Sequence, residues 1–128
     1  MKHYDPLHAP DSSEWLALDE QERISLVLAY HKRKRVQLPN AVLHATLHTI
    51  VENQHAMGDE TVVKDTLKRL QREGLDRHEA VHAVGSVLIE QMWGALKGLQ
   101  PKGNLGQSYE EALRHLTAEG WRRSARET

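Results

Sequence analysis

His44, His48 and Glu52 follow one another at four-residue steps, and His78-Glu79-Ala80-Val81-His82 repeats the step about one helical hairpin later. Residues i and i+4 of a helix leave successive turns of one face. Each histidine pair therefore aims its ring nitrogens the same way, as a divalent cation requires. The chain contains nine His and no Cys, so a transition-metal site has only imidazole and carboxylate to draw on. That donor set suits a divalent transition metal, zinc first, with iron, nickel or manganese next, and disfavours copper(I) and iron–sulfur clusters.

At about 100° per residue, His44, His48, Glu52 and His55 fall within about 80° of one helix, and His78 and His82 lie about 40° apart on another. Gly85 and Ile89 continue the second line. With a rise of about 1.5 Å per residue, the first pair sits about 4 and 10 Å into its helix and the second about 2 and 8 Å. Parallel neighbouring helices would place all four imidazoles in one layer, with Glu52 about one turn deeper. The positive potential of helix N-termini keeps such histidines neutral, hence able to bind a cation through nitrogen. The expected ligands are His44, His48, His78 and His82, and Glu52 is either a further ligand or the acceptor that orients an imidazole. A seam of histidines satisfied by ordinary hydrogen bonds is the alternative, since these groups are expensive to bury unpaired.

Five helices are needed to position these residues. Asp19 with Glu22 opens a first helix over about 20–35, on which Ile24, Val27, Leu28 and His31 form an apolar stripe. Its cationic last turn, His31 to Arg35, complements the helix dipole. Asn40, after Pro39, caps a second helix over about 41–57 that Gly58 ends. Asp59 caps a third over about 60–73, an amphipath with Val63, Thr66, Leu67 and Leu70 on one face. Gly74 stops it, and Asp76 with Glu79 opens a fourth over about 77–97. Gly98, Pro101, Gly103 and Gly106 make a loop before a fifth helix over about 109–122, opened by Ser108 and Glu111. Residues 1–13 read as a flexible lead-in, with at most a turn around Trp15, and 14–128 as a single α-helical metal-binding domain. Glu52 is the only charged residue between Ala41 and Met57, and none lies between Ala80 and Ile89. Helices two and four are therefore expected at the centre of an all-α bundle, set parallel by the return through helix three.

His78-Glu79-x-x-His82 matches the zincin motif, in which two histidines bind zinc and the glutamate is the general base. Extended through Gly85 it follows the metzincin peptidases, but Leu88 stands where their third histidine would be. Glu79 also has a second explanation as the capping partner of Asp76. His48-x-x-x-Glu52, Glu52-Asn53-Gln54-His55 and His78-x-x-x-His82 resemble the ligand spacing of hemerythrin-like di-iron bundles, with His31 and His115 available to complete the set. The extra third helix and the few carboxylates depart from that pattern. Pro39-Asn40, Leu43-His44, Leu47-His48, Glu52 and Asp76-Arg77-His78-Glu79-Ala80-Val81-His82 together resemble a family of small, uncharacterised, all-helical bacterial proteins. The resemblance spans about residues 38–97 and implies a shared metal-type site without supplying an activity.

A net charge of −1, with charges of both signs, leaves no dominating field, and no DNA-binding motif accompanies the basic segments 31–35 and 122–126. Nucleic acid is not an expected partner. No run reaches the ~20 apolar residues of a membrane span and residues 1–11 carry no apolar signal, so a cytoplasmic protein without a membrane partner is expected. Trp15, Trp93 and Trp121 read as packing residues at helix edges. Two functions fit. One is a metal-dependent hydrolase of a small-molecule substrate, with three imidazole ligands, an open position and Glu52 or Glu79 as base. The other is a noncatalytic metal-binding or interaction module.

Overall fold

The structure is a computed structural model that describes residues 1–34, 40–96 and 105–127. The described residues form seven α-helices: α1 (Ser12–Ala17), α2 (Glu20–Arg33), α3 (Ala41–Ala56), α4 (Val63–Arg72), α5 (Arg77–Leu96), α6 (Leu105–His115) and α7 (Ala118–Glu127). A short 3-10 turn, Gly58–Glu60, precedes α4, and no strand occurs among these residues. The chain is all-α. No helix among them is long and apolar enough to cross a membrane. Arg35 and Pro39, the expected end of the first helix and the break after it, lie outside the described residues, as do Gly98, Pro101 and Gly103 of the expected loop.

The helix count exceeds the expected five for local reasons. Asp11 accepts from the Glu14 N–H at 3.0 Å, which caps a short α1 where only a turn was expected. The expected fifth helix is two. Thr117 breaks it, its hydroxyl oxygen accepting from the Gly120 N–H at 3.0 Å as the cap of α7. Upstream, α6 already includes Gly106 and Ser108. The third helix starts later than expected because Gly58, at φ 63°, opens the 3-10 turn that holds Asp59, and Thr61 is extended.

Two compact units divide the chain, Met1–Lys64 and Asp65–Thr128. In the first, Tyr4, Trp15, Val27, Tyr30 and Ala45 form the core, with Ile24, Leu26, Leu28 and Ala56 packed against it. Tyr4, in the expected lead-in, is fully buried, its ring 5.8 Å from Trp15 and 6.1 Å from Tyr30. Arg23 ties the three helices together. Its guanidinium donates to the carbonyls of Trp15, Leu16 and Leu18 at the end of α1 and to Asn53 Oδ1 on α3. These bonds satisfy carbonyls that a helix C-terminus otherwise leaves to water.

The second unit is built on α4 to α7. Leu67, Leu70, Leu75, Val81, Val84 and Leu113 are buried. After α4 the backbone closes as a Schellman motif: the Leu75 N–H reaches the Leu70 carbonyl, the Gly74 N–H reaches that of Gln71, and Gly74 takes φ 112°. Glu73 then spans to the next hairpin. One of its carboxylate oxygens accepts from the Ala118 N–H at 2.9 Å, at the start of α7, and the other from Arg69 at 2.7 Å. Arg69 and Arg122 also donate to the carbonyls of Leu113 and Gly74.

Candidate metal centre

α3 is the helix expected to carry the first histidine pair, and its sequence delivers it inward. Asn40 caps it by accepting from the Leu43 N–H at 3.0 Å, and the turns that follow bury Ala45, Leu47, His48, Thr49, Val51 and Glu52. His44 and His48 stack at a centroid separation of 5.0 Å. A third imidazole joins them from α2. The His31 ring lies 4.7 Å from that of His44 and 5.4 Å from that of His48, edge to face in both cases. Ring nitrogens of His31 and His48 lie within 4.8 Å of each other. Two nitrogens bound to one zinc ion at ~2.0–2.1 Å are at most ~4.2 Å apart, so side-chain adjustment of under ~1 Å brings this pair into range.

The protons on these rings follow from their partners. His31 Nδ1 is 2.8 Å from the Val27 carbonyl oxygen, which can only accept, so Nδ1 carries the hydrogen and a neutral His31 has its lone pair on Nε2. The Tyr4 hydroxyl donates to Glu52 Oε2 at 2.5 Å and lies 3.5 Å from His48 Nδ1. Glu52 is 1% exposed, which places a carboxylate against a phenol and a histidine inside the unit. The Nε2 atoms of His31, His44 and His48 are all shielded from solvent. Imidazoles held at Nδ1 by a backbone carbonyl or a polar side chain, with Nε2 turned inward, have the arrangement typical of metal-ligating histidines.

In the second unit, Asp76 and Glu79 close the expected capping box at the start of α5. The Glu79 N–H donates to Asp76 Oδ1 at 2.8 Å and the Asp76 N–H to Glu79 Oε1 at 3.0 Å. Arg122 stands 4.0 Å from the same Glu79 oxygen. The next turn sets His78 against His82, centroids 4.4 Å apart, ring nitrogens within 4.8 Å of each other and Nε2 atoms buried. Arg77, between the two capping residues in sequence, is buried.

Residues 14–123 match the family described as a domain of unknown function, DUF1841. The chain belongs to this family. The family match covers most of α1 through most of α7 and so includes every histidine discussed above. No curated protein and no solved structure matches the chain. The family description assigns no activity, which leaves the chemistry of the site as the guide to function.

Of the residues singled out by spacing, His44, His48 and Glu52 lie together in the first unit, and His78 and His82 are neighbours in the second. Glu79 is at the helix cap. His55, on the same predicted stripe as His48, is half-buried, and His115 is exposed and 3.4 Å from Glu111. Two residues of the site lay outside the expected ligand set. His31 was visible as the one polar member of an apolar stripe. Tyr4 had no signal, because nothing in a proline-flanked segment indicates which aromatic will turn inward.

Proposed function

We propose that this protein binds divalent transition metal, zinc first and iron or nickel as alternatives, through its two groups of neighbouring histidines, each taken within its own unit. His48 and His44, with His31 added to the set, supply one group of imidazoles, and His78 and His82 supply the other. The observation that carries the proposal is the convergence of His31 on the α3 pair: its ring lies 4.7 Å from that of His44 and 5.4 Å from that of His48, with its Nδ1–H donated to the Val27 carbonyl. Neutral imidazoles gathered in this way, with ring nitrogens of His31 and His48 within 4.8 Å of each other, are a donor set that a cation draws together. Neutral nitrogen donors without thiolate favour zinc or its neighbours over calcium or magnesium.

One Glu79 oxygen closes the capping box with Asp76, so Glu79 is not counted among the ligands, and its role as a base belongs to the hydrolase reading alone. The reading is therefore a metal-binding module first. Hydrolysis of a small substrate would require an open coordination position. Elemental analysis of the purified protein, with thermal melts in the presence and absence of chelator, tests the proposal. Bound zinc, iron or nickel in fixed ratio to the chain, with a melting temperature that falls on chelation, is the expected result. Metal-free protein that neither takes up added zinc nor gains stability from it would overturn it.

A further inference from the structure

We infer that Tyr4 is a positioning residue for His48 and that Glu52 acts through it, as an acceptor behind the imidazole and not as a metal ligand. A phenol has one hydrogen to give. Tyr4 gives it to Glu52 Oε2 across 2.5 Å, so the hydroxyl presents only lone pairs to His48 Nδ1 at 3.5 Å. The hydrogen between Tyr4 and His48 must then come from the ring. His48 is thereby set as the Nδ1–H tautomer, with its lone pair on Nε2, the same state that the Val27 carbonyl imposes on His31. Two imidazoles from different helices reach one protonation pattern by independent means.

Tyr4 has the support such a role requires. Its ring is fully buried and packs edge-on against Tyr30 and His48, and its carbonyl accepts from Arg33 at 3.1 Å. Hydrogen-bonded partners of this kind fix ring orientation and raise the basicity of the ligating nitrogen, and their loss typically lowers metal affinity by about 10–100-fold. The consequence for affinity rests on the metal-binding reading above; the tautomer does not.

Long-range ¹H–¹⁵N correlation spectra of the full, metal-free chain at about pH 8, above the ordinary histidine range, report the tautomer of each ring. Wild-type protein is expected to show His31 and His48 as Nδ1–H. In Tyr4→Phe, His48 should shift toward Nε2–H while His31 stays unchanged as an internal control, and zinc affinity should fall about 10–100-fold. Glu52→Gln should leave the zinc stoichiometry of the protein unaltered. A wild-type His48 that is Nε2–H, or a tautomer indifferent to Tyr4→Phe, overturns the inference, and the wild-type spectrum alone decides if the variant fails to fold. Loss of zinc stoichiometry in Glu52→Gln would return Glu52 to the ligand set and equally overturn it. If the tautomers respond as stated but wild-type protein binds no zinc, the positioning role stands and the metal-binding reading falls.

Discussion

Trp15 Nε1 donates to Asn53 Oδ1 at 2.8 Å, and Arg23 reaches the same oxygen at 3.1 Å. One amide oxygen on α3 thus holds a buried indole from α1 and a guanidinium from α2, one residue along from Glu52. Replacing Asn53 by Ala leaves the indole N–H without this acceptor, at a cost of about 1–3 kcal/mol. Urea denaturation followed by tryptophan fluorescence measures the loss. A change under ~0.5 kcal/mol would mean that the shared acceptor contributes nothing to the unit.

Glu73 gives a pH dependence with a definite sign. The Ala118 N–H, and after it the Arg69 guanidinium, hold its carboxyl below the ordinary value of 4.5. Because the folded value is depressed, the unfolded chain takes up this proton first. The contribution is fully present above the ordinary value and fades as pH falls through the folded one. The stability gap between wild type and Glu73→Gln should therefore be widest near neutrality and close in acid. Paired urea titrations across that range check it, and a gap that widens on acidification would refute the assignment.

Gly74 closes α4 at φ 112°, a backbone state open to glycine and strained for alanine. The Gly74→Ala side chain would meet nothing closer than Arg122 at 3.7 Å, so the effect isolates backbone strain. A destabilisation of about 1–2 kcal/mol is expected in thermal or urea melts. No loss would show that the turn readily adopts another conformation.

Helix class and the first histidine group were legible because capping residues and i, i+4 spacing are local signals. Asn40 before α3 and Asp76 with Glu79 before α5 cap as their types predict. The charge-poor runs did mark burial: α3 holds six of the buried residues in its unit, against three on α2. What the sequence withheld is tertiary. Thr117 splits α6 from α7 in partnership with Glu73, 45 positions from the Ala118 amide it holds, and no window on the sequence contains both. Tyr4 likewise meets Glu52 across 48 positions, and its burial depends on an aromatic cluster assembled from three other segments.

Imidazole coordination of a metal ion is the central claim, and X-ray absorption at the zinc edge of the zinc-loaded protein addresses it directly. The account predicts a first shell of nitrogen and oxygen scatterers at ~2.0–2.1 Å, with the outer-shell multiple scattering of several imidazole rings. His48→Ala and His82→Ala should each reduce that outer-shell signal. A shell of oxygen scatterers without imidazole contributions, or one unaltered in both variants, would contradict it.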